Sequence, residues 1–597
     1  MDLRTHRNTL LLVRQIFDAK NCTNPCINTS SQKPACSCAA PVAQCFPRTS
    51  PEAAGISSEY LYRFINDLRN DDTLDPHGIM IVRNGSVITE GTFGPYDQNL
   101  WHITHSECKS ITALAVGMLI DEGKLSLDDK IIKIFEKRLP LIALLTQKDL
   151  TVRHLLTMTS SVVFNEVGAV TETDWVRCFL ESSLRNEPGK KFEYNSMNSY
   201  MLSAVVLQVS GQGLMSYLKE RLWEPLGIED IYWETCPEGI EKGGWGLYIR
   251  PEDIAKIGQL VLQNGNWGGQ QLVSASWIRE AASFQTATPE NYGSYNYGYH
   301  IWVGRNQNVF LFNGMFGQNV LGFPDTGVLI VSNAGNNELF QQSNFYRLIE
   351  QYFSADYHPE DSLPENPQAH GRLLDLLLDL HKPQPAAPSP QNPLCFMGSA
   401  YTSPEELCGQ LDGRKYLADA GKSPAVGLLP LLMQTVQNNY TKGFKDLAFS
   451  VTDGVFTLTV TEEDEKYQLP VGFADAETTE LSFHGEPYKV GVTGVFTTNE
   501  DDILVLKISI SFLEIANTRV LKIFFYGDTI VTKWLETPGK KYFTDGLSAI
   551  GSEIKLGLLL NTILGKADTD YIDYKISGVF EPEVTCRLLV QDQLPKE

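Results

Sequence analysis

The chain has 597 residues. Single hydrophobic cores stop growing at roughly 250–300 residues, so at least two domains are expected. Its 43% hydrophobic and 20% charged residues are ordinary for a globular protein. Its acidic residues outnumber the basic ones 72 to 49, for a formal charge of −23, which argues against nucleic acid as a partner.

Residues 1–50 lack periodicity and are rich in Asn, Ser, Thr, Pro and Cys, so they are expected to form a tail. The apolar stretch Leu10–Val13 ends at Arg14 and is shorter than the roughly 7–15 residue core of a secretory signal. No apolar run reaches the roughly 18 residues of a membrane helix. A cytoplasmic chain with no membrane span is the expectation. Five of the 11 cysteines lie in the tail, as Cys22, Cys26, Cys36, Cys38 and Cys45. An odd total without paired C-x-x-C units favours a reduced tail over a disulfide framework or a metal site. No metal and no cofactor are expected.

Regular patterning starts at Ser57. Tyr60, Phe64 and Leu68 suggest one helical face. Gly78–Val82 and Ser86–Thr92 flank Asn84-Gly85, the signature of a strand pair joined by a tight turn. A long helix is expected from Ser106 through Ile111, Ala115 and Leu119 to Gly123. Helices dominate to about residue 280. Strand-like runs return at Tyr299–Val303, Val309–Phe312 and Gly327–Val331, and a helix over Asn344–Phe353 closes this α/β (α+β) domain at 51–357. Residues 358–395, Pro-rich from 381 to 394, read as a linker. The remainder, 396–597, is β-rich. Strands flank Asp453-Gly454 and Gly527-Asp528, and Leu506, Ile508, Ile510 and Phe512 alternate with polar residues, so a barrel or sandwich is expected.

Ser106-Glu107-Cys108-Lys109 is an S-x-x-K at a helix start. Residues i and i+3 share a helix face, so the hydroxyl and the amine can meet. Free N–H groups and the positive dipole end favour developing negative charge there. On its own the motif is equally compatible with a helix cap and a solvated lysine.

Residues 55–355 resemble the serine β-lactamase-related family, which covers class C β-lactamases, penicillin-binding DD-peptidases, esterases and 6-aminohexanoate-oligomer hydrolases. The resemblance is carried by HSECKSITALAVGMLIDEGKLSLDD (105–129), LTVRHLLTMTS (150–160), PGKKFEYNSMNSYML (188–202), GGWGLYIRPEDIAKIGQLVLQNG (243–265) and NGMFGQ (313–318). It implies a β-lactamase/transpeptidase-like fold, an antiparallel sheet flanked by helices with a helical subdomain. It also implies Ser106 as nucleophile, Lys109 as proton acceptor and Tyr194 as proton shuttle. Lysine titrates near 10.4 in water, so Lys109 must be partly desolvated or sit near another cation to act as a base. Where the family's second motif has Asn, this chain has Ser196, with Asn195 beside it. The third motif falls on Phe312-Asn313-Gly314, with Phe in place of a Lys or His that holds a substrate carboxylate. The resemblance then implies an oxyanion hole from the N–H groups of Ser106 and Met315. Asn195, Ser196, Phe312, Asn313, Gly314, Phe316 and Gly317 are the candidate substrate-binding residues, with Gly317 as a second register.

The expected function is hydrolysis of a small ester or amide through an acyl-enzyme on Ser106, on the esterase and amide-hydrolase branch. Alternatives are a β-lactamase or DD-peptidase, a non-catalytic sensor on the same fold, and a ligand-binding C-terminal barrel. A Ser-His-Asp arrangement using His102, His105 or His154 and a Cys108 thiol nucleophile are the competing chemistries.

Overall fold

The computed structural model describes residues 33–37, 41–382, 403–419, 426–437, 439, 441, 443–540, 577–578 and 580–589. Strands β1 (Pro76–Arg83) and β2 (Ser86–Thr92) form the first hairpin. Asn84 and Gly85 both adopt the left-handed conformation that a type I′ turn requires, at φ 48° and 78°. Three short strands, β3 (His102–Ile103), β4 (Ile231–Trp233) and β5 (Leu247–Ile249), make a small sheet in the order β3-β5-β4. A two-residue pair, β6 (Asn266–Trp267) and β7 (Gln270–Gln271), stands apart. Strands β8 (Tyr295–Tyr297), β9 (Trp302–Gly304), β10 (Phe310–Gly314), β11 (Gln318–Phe323) and β12 (Val328–Ala334) join the first hairpin. The result is a seven-stranded antiparallel sheet, ordered β2-β1-β12-β11-β10-β9-β8.

Both faces of this sheet are covered, which explains its near-continuous apolar runs. Met80, Val82, Phe310, Phe312, Val320 and Val331 join one core, which also takes in the helices Lys109–Asp121, Met197–Ser210 and Pro251–Leu262. Ile79, Ile81, Leu311, Leu321 and Ile330 join the other, with the helices Ser58–Arg69, Asn344–Tyr352 and Pro367–Asp379.

Several expectations need correction. The run Tyr299–Val303 is not one strand: His300, at φ 55°, separates β8 from β9. Strand β11 went unanticipated because Gln318, Asn319 and Gly322 dilute its apolar character. Gly322 is required there, since a Cβ would lie 2.2 Å from the Phe310 ring. The expected linker contains the helix Pro367–Asp379, which buries Ala369, Leu373 and Leu376. The rest of that linker, from 383, lies outside the described residues, as do Leu10–Val13, Cys22, Cys26 and Cys38. Part of the expected tail is packed: Lys33, Cys36 and Phe46 are buried.

The C-terminal half is a β-rich, nearly closed barrel. Its ten described strands run from Lys415–Ala418 to Glu583–Leu588 and form one antiparallel sheet. The sheet curls until its edge strands, Glu465–Pro470 and Glu477–Phe483, approach each other. Leu506, Ile508 and Ile510 point inward and Lys507 outward, as their alternation requires.

The two halves are joined through Lys33. Its ammonium pairs with Glu514 at 2.8 Å and donates to the Pro487 carbonyl at 2.6 Å. Rings of Trp101, Tyr248 and Tyr488 surround it at 5.6, 5.7 and 4.8 Å. Removing one partner of a buried ion pair leaves an uncompensated charge, at a cost of about 3–5 kcal/mol. Lys33→Ala is therefore expected to lower the urea midpoint of the chain, and the double variant with Glu514→Gln to recover part of the loss. Equal midpoints for wild type and Lys33→Ala would contradict this account of the junction.

Candidate active site

The site is built on the entry to one helix. Strand β3 pairs with β5, and the Thr104 N–H and hydroxyl both donate to the Leu247 carbonyl, at 2.8 and 3.1 Å. His105 then takes a left-handed φ of 47°, a strained conformation for a residue with a side chain. A 3₁₀ turn, His105–Cys108, leads into the helix Lys109–Asp121. Strand β10 abuts this turn at Gly314. A Cβ on Gly314 would lie 2.2 Å from the Thr104 carbonyl oxygen and 3.3 Å from the Glu107 nitrogen, so only glycine lets strand and turn approach this closely.

Lys109 is buried, one helical turn beyond Ser106. Its Nζ donates to Ser106 Oγ at 2.8 Å and to the Gly244 carbonyl at 2.7 Å. Burial pushes the ammonium down to about 8, against the opposing charge of Glu166. The amine thus exchanges its proton near neutral pH.

Tyr194 lies half-buried across the cleft. Its ring centroid is 5.0 Å from Nζ of Lys109, the amine that bonds Ser106. Burial raises the phenol far above its usual value, and the opposing influence of Ser106 offsets only part of this, so it keeps its proton. Its ring stacks on Trp302 at 5.8 Å and meets Phe340 edge-on at 5.3 Å.

Of the residues expected to contact substrate, several point elsewhere. Phe312 is fully buried in the core between sheet and helices, 5.5 Å from the Phe310 ring. It shares the Gly314 face of β10 but lies one step deeper, so it does not stand in for a carboxylate-binding cation. Asn313 is on the opposite face, bonded to Asn319, Tyr346 and Gln341. Asn195 gives both amide hydrogens to the carbonyls of Val162 and Phe164, at 3.0 and 2.9 Å, which shapes the cleft wall. Ser196 is buried beside Gly244, and its N–H donates to Glu166 at 2.6 Å. Met315 follows Gly314 at the end of β10, partly exposed. Phe316, at φ 68°, sets its ring edge-on to His105 at 5.3 Å. Gly317 approaches Asn336, 2.7 Å from where a Cβ would stand.

The competing chemistries lack geometry. His102 Nε2 faces His77, His154 completes a helix capping box, and neither bonds Ser106. His105 is buried and pushed down to about 3. The Cys108 thiol donates to the His105 carbonyl and is pushed up to about 12 by burial.

Sequence reasoning missed Gly244 and Glu166. Gly243-Gly244 lies in a quoted segment, but a carbonyl acceptor has no side-chain signature. Glu166 lines a cleft of about 130 Å³ together with Ser160, Ser161, Arg185, Glu193, Tyr194, Tyr292 and Phe340.

A buried amine, a hydroxyl and a phenol converging at a helix entry beside an antiparallel sheet define a serine-hydrolase arrangement. Residues 77–351 match the Beta-lactamase family model, and this part of the chain is a Beta-lactamase family domain, of the serine-hydrolase type that includes penicillin-binding proteins. The chain is 27% identical over 287 residues to the 6-aminohexanoate-dimer hydrolase of Paenarthrobacter ureafaciens, covering 42% of this chain and 70% of that protein. Its fold is similar to a penicillin-binding protein homolog from Caulobacter crescentus, with 16% identity, 50% and 98% coverage and a TM-score of 0.42. It is also similar to EstCE1, a hydrolase with promiscuous acyltransferase activity, with 16% identity, 50% and 98% coverage and a TM-score of 0.41.

Gly314→Ala tests how the turn is seated. Forcing a methyl against a backbone oxygen costs about 1–3 kcal/mol and displaces Ser106. A lower melting temperature together with slower labelling of Ser106 by a fluorophosphonate is expected. Wild-type behaviour in both would mean that strand and turn do not meet at Gly314.

Proposed function

We propose that this chain hydrolyses a small neutral ester or amide through an acyl-enzyme on Ser106. The observation that carries the reading is the buried Lys109 amine, 2.8 Å from Ser106 Oγ and tuned to about 8. Neutral Lys109 accepts the hydroxyl proton as Ser106 Oγ attacks the substrate carbonyl. The resulting oxyanion is held by the N–H groups of Ser106 and Met315. Tyr194 relays the proton held by Lys109 to the leaving alcohol or amine, giving up its own as it receives that one, as the tetrahedral intermediate collapses. Water then attacks the acyl-enzyme, its proton passes back through the same groups, and the acid leaves with Ser106 restored.

The neutral-substrate assignment rests on the cleft's charges rather than on Phe312. Glu166 lines it with Arg185, while Glu193, also in its wall, pairs with Lys191 at 3.4 Å. Arg250 is committed to Asp230, and Arg305 to Thr288. A substrate carboxylate entering beside Glu166 meets like charge, which disfavours penicillins.

Ser106→Ala is expected to lose fluorophosphonate labelling and to cut p-nitrophenyl ester turnover by several orders of magnitude. Labelling at another residue, with turnover intact, would defeat the assignment. The wild-type enzyme should turn over nitrocefin at least a hundredfold more slowly than its best neutral ester; comparable rates would return the β-lactamase reading.

The pH profile carries a signed expectation. Below about 8 Lys109 holds its proton and cannot accept another, so kcat/KM is expected to fall roughly tenfold per pH unit there. Above about 8 it should level. A profile flat from pH 5 to 9 would remove Lys109 as the base.

A further inference from the structure

One surface segment is at odds with both the chain's charge and its packing. The short helix Leu141–Thr146 carries four apolar side chains toward solvent: Leu141 is 84% exposed, Leu145 77%, Leu144 48% and Ile142 45%. This is not a frayed turn. Ala143 is fully buried beneath it, and Gln147 pins its end by donating to the carbonyls of Phe179 and Ser182 at 2.7 and 3.0 Å. The other exposed large apolar residues among those described are scattered singly or in pairs along the chain. A contiguous exposed apolar patch marks a contact surface.

The surrounding charge says which kind. Residues 130–153 contain six basic and two acidic residues, a local net of +4 in a chain of −23. Arg138 is tied to Asp174 and Glu238, Arg153 to Asp128 and Glu280, and Lys130 to Asp149, which leaves three lysines as the free positive charge of this stretch. Lys133, Lys137 and Lys148 are exposed and enter no ion pair among the described residues. We infer that Leu141–Thr146, with its surrounding lysines, docks the protein onto an anionic phospholipid surface. Aliphatic side chains at the boundary with acyl chains, flanked by lysines at headgroup level, are how interfacial helices bind.

Two other occupants fit less well. Protein interfaces favour aromatic residues and arginine and are depleted in lysine, whereas this stretch has exposed aliphatics flanked in sequence by exposed lysines. A second copy of the chain about a two-fold axis would set lysine against lysine. The strongly negative remainder is repelled by the same lipid surface, so the basic patch also orients the molecule.

The helix packs on Trp175–Glu181, where Trp175 stacks on Trp245 at 5.7 Å, next to the Gly244 carbonyl that holds Lys109. Docking here would bring the cleft within one helical layer of the lipid. The inference does not depend on the hydrolytic assignment.

The test is co-sedimentation of the full chain with vesicles of equal parts phosphatidylglycerol and phosphatidylcholine, against pure phosphatidylcholine. Wild type is expected to partition onto the anionic vesicles and to be released by high salt. The double variant L141S/L145S and the triple variant K133Q/K137Q/K148Q should each lose at least tenfold in partitioning. All five positions are exposed, and unchanged turnover of a soluble ester reports an intact fold. Absence of partitioning, equal partitioning of the variants, or a wild-type dimer in sedimentation velocity that L141S/L145S converts to monomer would each overturn the proposal.

Discussion

A lysine amine removed from water is the constraint on which the rest of the site depends. Lys109 sits among apolar helices, and an ammonium there needs acceptors or it loses its proton. It has two, Ser106 Oγ and the Gly244 carbonyl. To meet both, the loop at 243–246 must lie flat on the helix Met197–Ser210. Only glycine permits that: a Cβ at 243 would stand 2.8 Å from the Ser199 carbonyl, and one at 244 would stand 3.0 Å from Ser199 Cβ. That same helix follows directly from Tyr194. One buried amine therefore fixes the Ser106 turn, the glycine loop and the tyrosine relative to one another.

The barrel shares in that constraint. Gln437, from the C-terminal half, donates to Glu234 at 3.0 Å and accepts from Tyr488 at 2.6 Å. Glu234 holds Lys242, the residue before the glycine pair. On the other flank, the Ile103 N–H donates to the Glu514 carbonyl at 2.9 Å, so the strand leading into Ser106 is also anchored to the barrel. Both approaches to Lys109 thus end in barrel residues. A C-terminal domain without catalytic motifs of its own is still tied to the chemistry, through buried polar bonds whose loss leaves unpaired groups.

What could be read from the sequence follows from which interactions leave a local signature. The hairpin at Asn84-Gly85, the helix after Ser106 and the alternating strand at 504–512 announce themselves through turn chemistry and periodicity. Ser106 and Lys109 are legible because their partnership is local, at i and i+3. Phe312 was misassigned because a strand's pattern does not say which face the cleft occupies. Both of its faces are apolar here, and the glycine two residues on, not the ring, is what touches the site. Gly244 and Glu166 act through a backbone carbonyl and through space, and no residue type at a fixed spacing encodes either. The packed helix at 367–379 hid behind prolines that follow it.

In the proposed mechanism Glu166 bears on both basicity and selectivity. A carboxylate in direct contact with Lys109 would hold the ammonium protonated and useless as a base. With no carboxylate at all, burial would drive the amine lower still, making it a weak acceptor. Glu166 lies between these extremes: its Oε1 is held at 2.6 Å by the Ser196 N–H, and its charge reaches Lys109 without displacing Ser106 or Gly244. The same carboxylate lines the cleft beside Tyr194. Burial dominates the Lys109 value near 8, with Glu166 a lesser opposing influence; under the proposed function the same carboxylate also disfavours anionic acyl groups. The Ser196 N–H, at the start of the helix Met197–Ser210, holds that carboxylate in place.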